Sequence, residues 1–210
     1  MAERMIPDRF EPAVRAIRSL QHDPRYLGAL IFGSVAEGRT NRHSDLDVVV
    51  QVGEDSPCPN VNHPGYWPHK VDITFRSLRQ IADLAEPDPG NRTRAPILAH
   101  AVVLFDKTGE LQALQDRMAA VRPTPPTRDD RQFIAFMAYH GDDKVRRNMG
   151  QDPDAALYSM HACIGDLLEM HFRLHERWWV SSKNVLRDLD AWDRPLAGLV
   201  RRFLATADVE

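Results

Sequence analysis

The chain has 210 residues, of which 27 are basic and 30 acidic, so its formal net charge is −3. Hydrophobic residues make up 43% and charged residues 27% of the sequence, which is typical of a globular protein and excludes an intrinsically disordered chain. The near balance of charge disfavours binding by general neutralisation of phosphates, so we expect no nucleic-acid partner.

Targeting and membrane segments are not indicated by the sequence pattern. Residues 1–12 carry charges where a signal peptide needs an apolar run, and no window approaches about 18 consecutive apolar residues. The two cysteines, Cys58 and Cys163, are too few for a disulfide framework and are typical of a reducing compartment. We therefore expect a cytoplasmic protein with no membrane partner.

The first half of the sequence predicts helices that alternate with short strands. Apolar residues recur at helical spacing over 6–22, a second helix over 77–84 has Ser77 as its cap, and a third covers 111–121. Apolar or alternating runs predict four strands, at 26–32, 46–52, 70–75 and 101–105. The segment 53–68, rich in proline and glycine, predicts a loop.

A proline-rich segment separates this half from a helical one. Residues 122–127 contain three prolines and cannot continue a helix, so we place a linker there between domains 1–121 and 128–210. Further helices are predicted over 129–149, over 154–176, and as one or two helices within 183–205. The predicted fold class is α+β, with a mixed sheet flanked by helices and a C-terminal all-α helical bundle.

The most informative segment connects the first predicted strand to the second. Gly33 lets the backbone turn sharply, and Ser34 is placed to cap a helix whose free N–H groups could bind an anion. Asp45 and Asp47 follow at the start of the second strand, and residues two apart in a strand share a face. Asp72, in the third strand, can join them if the second and third strands are neighbours.

Adjacent carboxylates repel one another, and a divalent cation removes that repulsion. Mg²⁺ prefers oxygen ligands. Carboxylates at adjacent strand ends suit two-metal phosphoryl transfer, in which one ion activates the attacking oxygen and the other neutralises the triphosphate. We therefore predict that Asp45, Asp47 and Asp72 are the catalytic residues and metal ligands, with two Mg²⁺ ions for which Mn²⁺ can substitute.

The pattern resembles the minimal nucleotidyltransferases of the DNA polymerase β superfamily. The matching residues lie within 26–76 and are Gly33, Ser34, Gly38, Ser44, Asp45, Asp47 and Asp72. The helical second half is similar to that of antibiotic nucleotidyltransferases of the kanamycin and lincosamide type. Many relatives carry an arginine directly after the Gly-Ser pair, where this chain has Val35, and Arg39 or Arg42 could supply that charge instead.

The resemblance implies an activity and a set of nucleotide contacts. The activity is Mg²⁺-dependent transfer of a nucleoside monophosphate from an NTP, with ATP as the default donor, to a hydroxyl of a small molecule such as an aminoglycoside or lincosamide. Gly33 and Ser34 would receive the β- and γ-phosphates, and the further nucleotide-binding candidates are Arg39, Arg42 and Ser44. The acceptor would lie between the two domains, where small ligands usually bind.

The helical half supplies candidates for the remaining roles. Asp166 or Glu169 could be the base that takes the proton of the acceptor, and the alternative for each is a surface position. Gly165, beside Asp166, suggests a close approach of another backbone or a ligand. Lys183 is either a point charge that binds phosphate or a solvated lysine at the start of a helix.

The helix over 129–149 has two chemically different faces. Its apolar face includes Phe133, Ile134, Phe136 and Met137. Its polar stripe consists of His140, Asp143, Lys144 and Arg147. The stripe either holds triphosphate or acceptor, or is a solvated face with local ion pairs, and both interpretations stay open.

Two other classes of function stay open. The first is an AMPylating, antitoxin-like nucleotidyltransferase that acts on a protein or tRNA; such antitoxins resemble the core but are usually shorter and have no appended bundle. The second is a non-catalytic nucleotide-binding protein, which we would expect to have lost part of the aspartate triad. A homodimer whose second subunit closes the cleft is compatible with the resemblance.

Overall fold

A computed structural model describes residues 6–85 and 95–205, and the described chain divides after Val121 into two compact units. The helices of the first unit are α1 (Glu11–Ser19), α2 (Gly33–Ala36), α3 (Leu78–Ala85) and α4 (Glu110–Ala120). Its strands are β1 (Tyr26–Phe32), β2 (Leu46–Val52), β3 (His63–Trp67), β4 (His69–Ser77) and β5 (Val102–Asp106). The predicted helix over 6–22 is α1 with a 3₁₀ turn at each end, Asp8–Phe10 and Leu20–His22.

The five strands form one mixed sheet in the order β3-β4-β2-β1-β5. β2 and β4 run parallel, and the other neighbouring pairs are antiparallel. The condition under which Asp72 can join Asp45 and Asp47, namely that their two strands are neighbours, is therefore met. The prediction of a loop over 53–68 is wrong for its last part, because His63–Trp67 pairs with β4 as an edge strand. An edge strand tolerates Pro64, whose missing N–H would break the ladder of a central strand.

The sheet carries an apolar layer on each face. On one face α1 packs against alternate residues of β2, including Leu46 and Val48, while on the other face α3 and α4 cover Val49. Ser77 caps α3 as predicted: its hydroxyl accepts a hydrogen bond from the Gln80 N–H at 3.2 Å, and the Gln80 side chain accepts one from the Ser77 N–H at 3.2 Å. The alternation along β2 places Asp47 on the same face as Val49.

The second unit consists of helices. They are α5 (Arg128–Met149), α6 (Pro153–Leu174), α7 (Val185–Trp192) and α8 (Arg194–Leu204), with a 3₁₀ turn at Ser182–Asn184 before α7. Residues from α6, α7 and α8 form its apolar core, in which Phe172 and Leu189 are fully buried. These features confirm the α+β class with a mixed sheet and C-terminal helices. Among the described residues, no helix combines the length and the apolar character needed to cross a bilayer.

α5 buries little of its surface. On its apolar face Ile134 is buried, whereas Phe133 and Phe136 are 58% and 60% exposed. On the predicted polar stripe, Arg147 pairs with Asp143 at 2.8 Å, one helical turn away. A pair of exposed side chains at this spacing favours the interpretation of the stripe as a solvated face with local ion pairs.

Candidate active site

Strand pairing brings three aspartates together at one end of the sheet. Asp47 on β2 and Asp72 on β4 are direct partners in the parallel register, and Asp45 lies two residues before Asp47. Each of the three offers a carboxylate oxygen, and these oxygens lie within 4.8 Å of one another. Leu46, between the first two, is fully buried in the core, so the strand alternation presents both neighbouring carboxylates together. We call Asp45, Asp47 and Asp72 the aspartate triad.

The aspartate triad has the ligands that a hard divalent cation requires. Oxygens on opposite sides of one Mg²⁺ are about 4.2 Å apart, so small rotations of the three side chains would close them on an ion. Asp72 is only 9% exposed, and a carboxylate that is nearly buried needs a cationic or hydrogen-bonding partner. Within the described ranges, no other group of three His, Cys, Asp or Glu residues comes this close together.

Two glycines shape the turn that leads from β1 towards the aspartate triad. Gly33 and Gly38 each have a φ of +68°, and the single-turn helix α2 begins at Gly33 and ends two residues before Gly38. At its C-terminal end, the Arg39 N–H donates to the Ser34 carbonyl at 2.8 Å and the Gly38 N–H donates to the Val35 carbonyl at 3.1 Å. This is the Schellman arrangement, which requires a left-handed residue at the position of Gly38.

Gly33 is a glycine for a second reason. A Cβ at this position would overlap the Oδ2 atom of Asp47. The group that lies against Gly33 is therefore a carboxylate of the triad. The turn therefore fixes the position of a predicted metal ligand.

The prediction that Ser34 caps a helix is wrong. α2 begins at Gly33, its N-cap is Phe32, and no side chain bonds to that end. The serine therefore lies within the helical turn and not at its N-cap. Val35, where many relatives have an arginine, is 3% exposed and packs in the core beneath the sheet, so a charged side chain would not fit there.

The other predicted nucleotide-binding residues lie in the connection between α2 and β2. The Ser44 hydroxyl accepts a hydrogen bond from the Asn41 N–H at 2.9 Å and closes a turn just before the triad. The Arg39 guanidinium lies 3.9 Å from the Glu37 carboxylate, and the Arg42 guanidinium contacts His43 at 2.9 Å. Their roles in binding a nucleotide stay predictions.

Lys70 is a residue of the site that the sequence patterns did not predict. Its ammonium donates hydrogen bonds to Asp72 at 2.6 Å and to Asp45 at 3.3 Å, and these carboxylates raise the pKa of Lys70. Lys70 precedes Asp72 by two residues on β4, so the period of a strand places both on one face. That spacing was visible in the sequence, but the contact with Asp45 depends on the pairing of β4 with β2.

The candidates of the helical unit belong to different parts of it. Asp166 and Glu169 line a cavity of about 180 Å³ between α5 and α6, together with Phe133 and with Arg173. Beyond the neighbouring backbone of α6 itself, no atom of the described residues lies within 4 Å of a Cβ built at Gly165, so the suggested approach of another backbone is wrong, and the approach of a ligand stays a prediction.

Lys183 is exposed in the turn Ser182–Asn184 of the same unit. Its contact with phosphate and the proton transfer assigned to Asp166 or Glu169 stay predictions.

Comparison with known proteins found structural likenesses only. No protein-family profile and no curated protein sequence matches the chain. A crystal structure of a nucleotidyltransferase-like protein from Exiguobacterium sibiricum 255-15 is 14% identical, with a TM-score of 0.45 over 95% of this chain and 69% of that one. A crystal structure of a toxin–antitoxin with AMP-PNP is 16% identical, with a TM-score of 0.33 over 61% of this chain and 94% of that one. Likenesses of this size assign no activity to the chain.

Proposed function

We propose that this chain is a divalent-metal-dependent nucleotidyltransferase. The observation that carries the proposal is the aspartate triad, whose three carboxylate oxygens lie within 4.8 Å of one another at the end of two neighbouring parallel strands. Like charges at this separation disfavour one another unless cations bind, and transfer of a phosphoryl group to a hydroxyl uses such cations.

In the proposed reaction the acceptor is a hydroxyl group. Its oxygen forms a bond to the α-phosphorus of an NTP while the bond from that phosphorus to pyrophosphate breaks, and the hydroxyl proton passes to a base. Asp45, Asp47 and Asp72 would hold the metal, for which the sequence resemblance implies two Mg²⁺ ions. Mg²⁺ or Mn²⁺ would supply neutralisation of the triphosphate and a lower pKa of the attacking hydroxyl. The residues themselves orient the reactants, and little covalent chemistry is left for them.

The turn at Gly33 is the proposed triphosphate site. The first N–H groups of a helix have no acceptor within it, so those of Gly33 and Ser34 are available in principle to phosphate oxygens. Arg39, Arg42 and Ser44 follow in the connection that leads directly into Asp45. The shortness of this connection supports their assignment to the nucleotide.

For the acceptor we propose a small molecule that carries amino groups, such as an aminoglycoside. The support is the cavity of the helical unit, which combines the carboxylates of Asp166 and Glu169 with the exposed ring of Phe133. Carboxylates attract ammonium groups, and either could take the proton of the acceptor hydroxyl. Lys183 is proposed as a second cation for the triphosphate.

Calorimetric titration of the full chain with a non-hydrolysable ATP analogue tests the metal-dependent step. Wild type should bind the analogue with Mg²⁺ and not with EDTA, and Asp47→Asn should weaken that binding by roughly 10- to 100-fold, since it removes one charged ligand. Asp116→Asn, on the exposed surface of α4, removes the same charge in the same unit and should bind as wild type does.

Two results contradict the proposal: a folded wild type that binds no nucleotide with Mg²⁺ or Mn²⁺, or an Asp47→Asn protein that binds as wild type does. If binding is confirmed, an NTP labelled at the α-phosphate identifies the acceptor from a panel of amino-bearing alcohols. Binding without transfer to any of them would favour the non-catalytic nucleotide-binding alternative.

A further inference from the structure

Lys70 lies where a cation is needed in the aspartate triad. Its ammonium contacts carboxylates from two different segments, Asp72 at 2.6 Å and Asp45 at 3.3 Å. An exposed ion pair between two side chains contributes little and is readily lost. Here one ammonium bridges two carboxylates that also lie close to each other, and one of them, Asp72, is only 9% exposed.

The backbone around Lys70 is fixed by strand pairing on both sides. Lys70 lies within β4, where it is the direct partner of Tyr66 in the antiparallel pair with β3. Two residues further along, Asp72 is the partner of Pro64 on β3 and of Asp47 on β2. The ammonium therefore reaches the triad from a position that cannot shift along the sheet without breaking both pairings.

The charges of the cluster match one divalent ion. The three carboxylates of the triad carry three negative charges when ionised, and the Lys70 ammonium leaves a net charge of −2. One divalent ion neutralises this remainder. A second divalent ion at Asp45 and Asp72 would have to displace the ammonium, which already holds an oxygen of each carboxylate.

We propose that the Lys70 ammonium is the cation that neutralises Asp45 and Asp72, and that it takes the place of the second metal ion. The proposal rests on the proposed function but changes the number of metal ions at the triad from two to one. The single divalent ion, with Asp47 as a ligand, acts beside the ammonium of Lys70. Lys70 is then a positioning residue, because it holds Asp72 and Asp45 in place through hydrogen bonds. It also keeps the cluster ordered before metal and nucleotide arrive.

Titration of Mn²⁺ into the metal-free full chain, with free Mn²⁺ followed by electron paramagnetic resonance, tests the inference. Wild type should bind one ion at the triad. Lys70→Met should bind two ions, the second at least roughly tenfold tighter than any second ion of wild type, because a unit charge beside both ligands has been removed. Lys70→Arg keeps the charge and should retain a stoichiometry of one.

Lys107→Met is the matched control, since Lys107 follows β5 at the other edge of the sheet and its ammonium bonds to the Asp23 carbonyl. It should titrate as wild type does. If Lys70→Met and wild type bind Mn²⁺ identically while Asp47→Asn abolishes binding, the metal site stands and the role of Lys70 is overturned. If no variant and no wild type binds Mn²⁺, both proposals fall. Should Lys70→Met not fold, a wild type that binds two ions of similar affinity still overturns the inference.

Discussion

At the scale of single residues, Gly33 and Gly38 distinguish the strain of a left-handed backbone from a steric clash with a neighbouring side chain. Both have a φ of +68°, at which a residue with a Cβ is strained by about 1–2 kcal/mol. A Cβ at Gly33 would also overlap the carboxylate of Asp47, whereas a Cβ at Gly38 meets no atom within 4 Å. The two positions are therefore a matched pair for testing what the turn does to the triad.

Gly33→Ala should weaken Mn²⁺ binding by roughly 10- to 100-fold, because Asp47 must move away from the new methyl group. Mutation of residues that orient metal ligands typically lowers metal affinity by this factor. Gly38→Ala should lower the melting temperature without changing the affinity for Mn²⁺. Thermal melts and Mn²⁺ titrations of both variants measure the two effects. Equal affinities in the two variants would show that Gly33 does not position Asp47.

At the scale of elements, the stability of α5 depends on the hydrogen bonds of its first turn, because most of its surface is exposed. Thr127 and Asp130 form a reciprocal capping box, in which each side chain accepts a hydrogen bond from the backbone N–H of the other. The bonds from the Thr127 N–H and hydroxyl, together with the Arg173 guanidinium, lower the pKa of Asp130 to about 2. A carboxylate with a lowered pKa stabilises the fold above its unfolded pKa, and this contribution is lost as the pH falls through about 2.

Asp130→Asn should therefore melt at a lower temperature than wild type at neutral pH, and the difference should persist to about pH 4 and close as the pH falls towards 2. Melting curves from far-ultraviolet circular dichroism across this range measure it. Asp129→Asn removes the same charge from the same turn but lies outside the capping box. If both variants gave the same pH profile, the effect would be one of helix charge and not of the capping box.

At the scale of the whole molecule, the two units have separate apolar cores. The cores on either side of the sheet are built from the first unit, and the third core is built around Phe172 and Leu189 of the second. Phe172 is fully buried and meets the rings of Trp179 and Trp192 edge-on, each at 5.2 Å between centroids. The triad lies in the first unit, whereas the third core is built within the second.

Phe172→Ala should destabilise the second unit by about 3–5 kcal/mol while the triad still binds Mn²⁺. Leu46→Ala, between two triad carboxylates in the first core, should lower both stability and Mn²⁺ affinity. Denaturant unfolding and Mn²⁺ titration of the two variants measure this. Loss of Mn²⁺ binding in a folded Phe172→Ala protein would contradict the separation of the cores.

Much of the fold and the centre of the site could be predicted from the sequence because they depend on local patterns. The period of two along β2 places Asp45 and Asp47 together with Leu46 in the core, and helical spacing identified the long helices. Three prolines within 122–127 predict a linker between the two halves of the chain. β3 escaped prediction because Pro64 and Gly65 are unfavourable in most strands and are tolerated here only at a sheet edge.

By itself, the sequence determined the α+β class, the strand that presents Asp45 and Asp47, and Asp72 as a third carboxylate. Only the tertiary structure decided that Asp72 is the direct partner of Asp47, that Lys70 bridges to Asp45, and that Gly33 must leave room for a carboxylate. The physical reason is the range of the interactions. Side-chain direction along one strand follows from neighbouring residues, whereas the register between β2 and β4 follows from packing and pairing between residues 25 positions apart in the sequence, such as Asp47 and Asp72.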